Sequence, residues 1–270
     1  MNMPAAPAGC ADIGYMDSLA AGGSALHRLD PRAKLLATLA FLAAVVSFDR
    51  YQISALIPFS LYPVFLIAAG GLPPGYLLRK ALLVSPFAVL LGALNPLLDS
   101  HVMLRLGPLA VSGGWVSFAS IILRFLLTVL AALALLALTG MNGVCESLSR
   151  LGLPRPFVVQ LLFLNRYLLT LSAEAASMSR ARALRGAGAR LRPAVFAQIA
   201  GHLLLRTLDR AERVYRAMVC RGFDGRVRAA RFPGAGREEL VFVAGWTAFF
   251  VFFRLVNVPL LLGRLLTGHL

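Results

Sequence analysis

The chain has 270 residues, of which 59% are hydrophobic and only 14% are charged. This composition argues against a soluble protein and is typical of an integral membrane protein. The net charge of +15 would indicate a nucleic-acid-binding protein only if the basic residues formed a soluble domain.

The basic residues are concentrated in one segment, residues 140–239, which contains 17 of the 27 lysines and arginines. All 17 are arginine, and seven acidic residues are interspersed among them. Apolar residues also recur through this segment at helical spacing, which disfavours a nucleic-acid-binding function. The sequence therefore predicts a membrane protein with one basic region that does not cross the membrane.

Four apolar segments precede the basic segment and one follows it. Asp30 is a candidate N-cap for the first helix, because Pro31 then occupies the first helical position. Each apolar segment is close to the ~20 residues that cross ~30 Å of hydrocarbon, although the first is short. The predicted spans cover residues 33–48, 51–70, 81–98, 115–139 and 240–262.

A further apolar segment, residues 156–171, contains Gln160, Asn165 and Arg166. If this segment crossed the membrane, most arginines of the basic region would lie outside the cell. The positive-inside rule therefore predicts an amphipathic helix at the cytoplasmic face here. The same rule places the N-terminus and the basic region in the cytoplasm.

The predicted fold is therefore all-α. It is a polytopic membrane protein with about five transmembrane helices and a cytoplasmic set of amphipathic helices between spans four and five. Residues 1–139 form the N-terminal cytoplasmic tail and the four-span membrane region. Residues 140–239 form the Arg-rich cytoplasmic helices, and residues 240–270 form the final transmembrane helix and the C-terminus.

Two predicted helices of the basic region end in an Arg-Gly pair, at Arg185-Gly186 and at Arg221-Gly222. A basic residue in the last turn and a following glycine are ordinary features of a helix end. Two such ends on the cytoplasmic side of a membrane protein favour the alternative that they bind a partner. An exposed arginine binds a carboxylate through two parallel hydrogen bonds, which lysine cannot do. The second helix has an apolar stripe at Leu204, Leu208, Ala211, Tyr215 and Met218.

Two stretches, ALHRLDPRAKLLATLAFLAAVVSF and YRAMVCRGFDG, resemble the T component of energy-coupling-factor (ECF) transporters, in particular the cobalt-type subunit CbiQ. The resemblance covers nearly the whole chain, and it implies two short Arg motifs that contact two ATPase subunits. Both motifs here lack the usual Ala before the arginine, and the frame Ala181-Arg182-Ala183 is an alternative for the first. The implied ATPase-docking residues are Leu184, Arg185 and Gly186 in the first motif and Cys220, Arg221 and Gly222 in the second.

The resemblance implies an energy-coupling subunit of an ECF-type ABC importer in the bacterial cytoplasmic (inner) membrane. Its cargo would be cobalt ions, used in cobalamin biosynthesis, with nickel or a vitamin as alternatives. The implied partners are two CbiO-like ATPase subunits, a CbiM-like membrane substrate-binding subunit, a small CbiN-like subunit and membrane lipid. The ATPase subunits would bind ATP and Mg, and this chain would bind no cofactor and no nucleic acid.

Catalytic and metal-binding patterns give little support to other functions. The four histidines offer no pair at helical spacing, the three cysteines are scattered, and no glycine-rich stretch has the form of a phosphate-binding loop. We therefore expect neither an enzyme nor a metal site. An integral membrane enzyme with a cytoplasmic active site is the alternative from another class, and it would need a cluster of catalytic residues.

Two arginines lie within predicted spans, Arg124 in span four and Arg254 in span five, both near the middle. The spans contain no acidic residue that could pair with them. Either they contact backbone carbonyls or extend towards the interface, or they meet a polar face of a membrane partner. Asn95 and Asn257 are predicted to form hydrogen bonds between helices.

Overall fold

The computed structural model describes residues 15–49, 52–95, 102–106, 109–185, 193–225 and 236–256. These residues are almost entirely helical, so the predicted all-α class is confirmed. One antiparallel hairpin interrupts the helices, with β1 (Val102–Leu106) paired to β2 (Leu109–Ser112). The helices are α1 (Ala25–Arg28), α2 (Pro31–Val46), α3 (Ile53–Leu56), α4 (Leu61–Gly70), α5 (Pro74–Gly92), α6 (Gly113–Arg150), α7 (Arg155–Arg185), α8 (Pro193–Cys220) and α9 (Arg237–Leu255).

The chain divides into two compact units. The basic unit comprises Met1–Ser18 and Met141–Arg231, and the apolar unit comprises Leu19–Gly140 and Phe232–Leu270. The division falls within α6, which is interrupted at Gly140 by a φ of 66° and a ψ of 162°. Glycine adopts this backbone conformation without the steric cost that a Cβ atom imposes. The sequence-based division at residues 139 and 239 stays a prediction.

The apolar unit is held together by an aromatic cluster between α2, α4 and α9. The ring of Phe41 lies 4.9 Å from that of Tyr62 and 5.5 Å from that of Phe250. The ring of Phe59 stacks on that of Phe250 with 5.8 Å between the ring centres. The rings of Trp246 and Tyr62 pack edge to face with 4.9 Å between their centres. Such aromatic pairs add to the stabilisation that burial alone provides. They bring α9 against α2.

Helix α2 begins at the residue that the sequence predicts. Oδ1 of Asp30 accepts a hydrogen bond of 2.8 Å from the backbone N–H of Arg32, and Pro31 is the first helical residue. The predicted N-cap is therefore confirmed, since a capping carboxylate satisfies one of the free N–H groups of the first turn.

Two glycines of the apolar unit lie close to side chains of α6. A Cβ atom added to Gly70 would lie 2.6 Å from Cδ2 of Leu138, and one added to Gly92 would lie 2.8 Å from Cδ2 of Phe118. Small residues of this kind allow helix backbones to approach each other within a membrane. They bring α4 and α5 against α6.

Within the described residues, four helical segments are long and apolar enough to cross a membrane: Ile53–Gly70, Pro74–Gly92, Gly113–Arg150 and Pro156–Arg185. The first three correspond to predicted spans two, three and four. Predicted span one is α2, whose 16 residues rise only about 24 Å. Predicted span five begins in α9, and its residues 257–262 lie outside the described part of the chain.

The fourth of these segments contains the residues 156–171 that the sequence analysis placed at the cytoplasmic face. They are the first part of α7, a continuous helix of 31 residues that extends to Arg185, in agreement with the predicted helix end at Arg185-Gly186. The helix continues because the residues after 171 are mostly Ala, Leu, Arg and Ser without an internal glycine or proline. Its position at the cytoplasmic face stays a prediction.

Candidate coupling helices

Helices α7 and α8 of the basic unit form an antiparallel pair. Glu174 of α7 forms ion pairs with Arg206 at 3.2 Å and Arg210 at 3.9 Å, both in α8. At the end of α7, Arg185 lines a cavity together with Val195 from the first turn of α8. Residues later in α7 therefore face residues earlier in α8, as an antiparallel pair requires.

This arrangement places the two Arg motifs at opposite ends of α8. Arg185 ends α7 beside the start of α8, and Arg221 directly follows the last residue of α8. A helix of 28 residues is about 42 Å long at 1.5 Å per residue. Both arginines are exposed. The pair of helices therefore presents two separate basic ends and not one combined site.

The second motif has the geometry of a glycine-terminated helix. Gly222 has a φ of 77°, its N–H donates to the carbonyl of Val219 at 2.9 Å, and the N–H of Phe223 donates to that of Met218 at 3.0 Å. This is the Schellman motif, in which backbone N–H groups satisfy carbonyls of the last turn. Those two carbonyls do not need the Arg221 side chain as a cap.

The first motif lies at the end of α7. Leu184 is 86% exposed and Arg185 is exposed, whereas Arg182 of the alternative frame is only half-exposed. Gly186 lies outside the described residues. The larger exposure of Arg185 favours the frame Leu184-Arg185-Gly186, which stays a prediction.

Helix α8 has two apolar faces. Within Pro193–Cys220, all of which the structure describes, no residue is fully buried. The stripe seen in the sequence is largely exposed: Leu204 is 60%, Leu208 56% and Tyr215 61% exposed. The half-buried positions are offset from it and include Val195, Ile199, Leu203, Thr207 and Val214. An exposed apolar stripe of this kind is typical of a helix that binds a partner or a membrane.

The two arginines of the predicted spans bind the residues that follow α2. Arg254 donates from Nε to Oγ of Ser47 at 3.1 Å and from Nη2 to the carbonyl of Ser47 at 2.9 Å. Its guanidinium lies 4.7 Å from the centre of the Phe48 ring, and Arg124 donates to the carbonyl of Asp49. These contacts match the alternative in which the two arginines contact backbone carbonyls. The last carbonyls of a helix have no hydrogen-bond donor within the helix, so they are free to accept from a side chain.

Arg254 lies in the last turn of α9, which ends at Leu255, and its position near the middle of span five stays a prediction. Asn95 donates from Nδ2 to Oγ of Ser117 in α6 at 2.9 Å, and Ser117 is buried. Asn257 lies outside the described residues. Asn95 therefore joins the segment that follows α5 to α6.

Comparison with known proteins identifies the family. A family model described as "CbiQ: Cobalt transport protein" matches residues 22–230. The chain belongs to the CbiQ family. The matched range includes both Arg motifs, and the membership makes this protein a transmembrane (T) component of an ECF transporter.

Curated relatives of this CbiQ-family protein carry the name energy-coupling factor transporter transmembrane protein EcfT. The protein of Heliobacterium modesticaldum is 29% identical over 243 residues, covering 82% of this chain and 89% of the relative. The protein of Bacillus subtilis is 27% identical over 244 residues, covering 83% and 91%. The protein of Thermosediminibacter oceani is 26% identical over 179 residues, covering 62% and 66%.

One buried charge of this CbiQ-family protein is not evident from its sequence pattern. Lys34 is 1% exposed, and its Nζ donates to the carbonyl of Leu138 at 3.1 Å. Asp30, one helical turn earlier, is 2% exposed, and Thr38, one turn later, donates to the carbonyl of Lys34 at 2.8 Å. The spacing of four between Asp30 and Lys34 places both charges on one helix face, and this is the only sequence signal for the pair.

Metal ligands of this CbiQ-family protein do not cluster in the described ranges: no three His, Cys, Asp or Glu residues there could hold an ion together. Of the cysteines in those ranges, Cys145 is buried and Cys220 is exposed at the end of α8.

Proposed function

We propose that this CbiQ-family protein transmits ATP-driven motion of two ATPase subunits to a membrane substrate-binding subunit. The observation that carries the proposal is the position of Arg185 and Arg221 at opposite ends of α8, about 42 Å apart by helix length. One small binding site could not contact both arginines. Two copies of an ATPase subunit, each binding one helix end, fit this separation.

The chemistry of α8 supports a protein partner. Arg185 and Arg221 are exposed and can each bind a carboxylate through two hydrogen bonds. Leu204, Leu208 and Tyr215 form an exposed apolar stripe between these ends. An amphipathic helix laid in a groove binds through such a stripe, and the charged ends fix its position along the groove.

The proposal also covers the catalytic role, the partners and the location of the protein. The chain itself is non-catalytic, and ATP and Mg bind to CbiO-like ATPase subunits. A CbiM-like substrate-binding subunit contacts its membrane helices, with a small CbiN-like subunit as a further partner. The excess of arginine in the basic unit supports a cytoplasmic location for that unit and for the N-terminus, in the bacterial inner membrane.

The proposed cargo is cobalt ions, used for cobalamin biosynthesis. The support is the description of the matching family as a cobalt transport protein. The names of the curated relatives state a transporter role and no cargo.

The experiment that tests the coupling role is a charge reversal in the complete transporter. Arg221→Glu should abolish cobalt uptake and weaken co-purification of the ATPase subunits, while the protein still inserts in the membrane. Arg185→Glu should weaken co-purification in the same way, and the double variant should retain less ATPase than either. Arg79→Glu, also exposed but at the start of α5, is the matched control and should behave as the unchanged protein. Normal uptake and co-purification in the double variant would contradict the proposal.

The cargo has its own test in cells that carry the unchanged transporter. Cobalt uptake should exceed nickel uptake when the two ions are supplied at equal concentration. Uptake of nickel without cobalt would overturn the cobalt assignment and leave the coupling role intact.

A further inference from the structure

A cavity of about 680 Å³ lies between α7 and α8 in the basic unit. Its basic lining residues are Arg182 and Arg185 from α7 and His202 and Arg206 from α8. The volume lies within the ~300–1,000 Å³ of small-molecule sites. This cavity is therefore large enough for a ligand and not only for water.

The charge of the cavity is strongly positive. Of the described residues that line it, none is acidic, and three are arginines. Glu174 lies beside it, and its carboxylate is divided between Arg206 at 3.2 Å and Arg210 at 3.9 Å. The first turns of α8 contribute Val195 and Gln198 to the lining, so the positive end of a 28-residue helix adds to the field. The cavity therefore favours an anion.

The lining also indicates which kind of anion fits. Three arginines from two helices present more N–H donors than the two oxygens of one carboxylate can accept, whereas a phosphate ester carries four oxygens on one phosphorus atom. Apolar side chains complete the wall, among them Met178, Val195 and Ile199, and Ser177 and Gln198 add neutral polar groups. A ligand with a phosphate group and an adjoining apolar part matches this wall.

We propose that the cavity between α7 and α8 binds a phosphate ester, which an anionic phospholipid headgroup or a soluble phosphate compound can supply. Basic pockets between helices of membrane proteins bind lipid headgroups through the same chemistry. The apolar wall favours the lipid. A bound phosphate ester contacts Arg182 of α7 and Arg206 of α8 and so fixes the contact between the two helices.

This inference shares Arg185 with the proposed coupling function, and its variants leave Arg185 and Arg221 unchanged. Because Arg182 belongs to the alternative frame Ala181-Arg182-Ala183 of the first motif, Arg206→Gln is the variant that separates phosphate binding from ATPase binding. Loss of phosphate binding and loss of ATPase binding are measured separately, so either proposal can fail alone.

The test uses the full-length protein in a neutral detergent with three probes: phosphatidylglycerol, phosphatidylcholine and inorganic phosphate. Native mass spectrometry counts bound lipid, and a titration followed by thermal unfolding gives the affinity. We expect saturable binding of phosphatidylglycerol and weaker binding of phosphatidylcholine. Binding of phosphatidylglycerol but not of inorganic phosphate assigns the site to lipid, and binding of both assigns it to phosphate esters in general.

The variants connect binding to the cavity. Arg182→Gln and Arg206→Gln should each weaken binding about fivefold, and the double variant about 25-fold, from ~1 kcal/mol per arginine near an anionic lipid surface. Arg213→Gln, on the same helix but not lining the cavity, is the matched control and should bind as the unchanged protein. Glu174→Gln should bind more tightly, because Arg206 then loses its competing carboxylate.

Two outcomes would overturn the proposal. One is that neither phosphatidylglycerol nor inorganic phosphate binds. The other is that the double variant at Arg182 and Arg206 binds as tightly as Arg213→Gln.

Discussion

The ammonium group of Lys34 in α2 donates a hydrogen bond of 3.1 Å to the carbonyl oxygen of Leu138 in α6, 104 residues later in the chain. Leu138 lies two residues before Gly140, where α6 is interrupted. Both Lys34 and its neighbour Asp30 are almost fully buried. A buried cation therefore connects the first long helix to the end of the apolar part of α6.

Replacing Lys34 with methionine tests this connection. Lys34→Met keeps most of the side-chain volume but leaves the Leu138 carbonyl unpaired and the Asp30 carboxylate without its nearby cation. We expect the free energy of unfolding to fall by about 1–3 kcal/mol. Denaturant titration in detergent measures it. The control is Lys80→Met, because Lys80 is half-exposed and its Nζ lies 5.6 Å from the centre of the Tyr76 ring. This variant should lower the free energy of unfolding by less than Lys34→Met does. Equal losses would contradict the structural role of Lys34.

Arg254 and Ser47 allow a graded test of the contact at the end of α2. Arg254→Leu removes the hydrogen bonds to both Oγ and the carbonyl of Ser47, and we expect it to cost about 1–2 kcal/mol. Ser47→Ala removes only the bond to Oγ, so it should cost clearly less. The same unfolding titration compares the two variants. Equal losses in the two variants would show that the carbonyl contact contributes little.

Gly222 and Gly201 provide a matched pair of substitutions on α8. Gly222→Ala forces a side chain into a left-handed backbone conformation with a φ of 77°, which costs about 1–2 kcal/mol. It should also displace Arg221 and reduce co-purification of the ATPase subunits. Gly201→Ala, inside the helix with open space around it, should instead stabilise α8 by up to about 1 kcal/mol. Thermal unfolding followed by circular dichroism compares the two, and changes of equal sign would contradict the assigned helix end.

His27 makes stability depend on pH. Burial lowers the pKa of His27, the hydrogen bond to the Leu19 carbonyl partly opposes this, and the charge of Lys34 lowers the pKa further. Nδ1 lies 2.7 Å from Oγ of Ser24 and Nε2 lies 3.0 Å from the Leu19 carbonyl, an arrangement that fits a neutral ring with its proton on Nε2. The folded protein thus binds a proton less readily than the unfolded chain, whose histidine has a pKa of about 6.5.

The stability from neutral His27 is therefore complete above about pH 6.5 and is lost as the pH falls from there through the lower folded pKa. Thermal unfolding midpoints between about pH 7.5 and pH 5.5 should decrease with falling pH. The decrease should be smaller in His27→Gln, which keeps polar groups but does not titrate. A steeper decrease in the variant would contradict the assignment.

Local features of the sequence were sufficient for much of the fold. Apolar segments of membrane-spanning length, the Asp30-Pro31 start of α2 and the glycine after Arg221 each depend on residues within one or two helical turns. The all-α class and the end of α8 follow from them. The end of α7 at Arg185 also agrees with the prediction, because Gly186 follows it in the sequence.

Contacts between distant residues were decided only by the tertiary structure. Arg254 and Ser47 are 207 residues apart, and no local sequence pattern predicts that Arg254 donates a hydrogen bond to the carbonyl of Ser47. The antiparallel packing of α7 on α8 likewise decides that Arg185 and Arg221 lie at opposite ends and that three arginines line one cavity. The sequence by itself determined which segments are helical, apolar or basic. The tertiary structure decided which charges are buried and which remain exposed, because burial depends on the helix packed opposite.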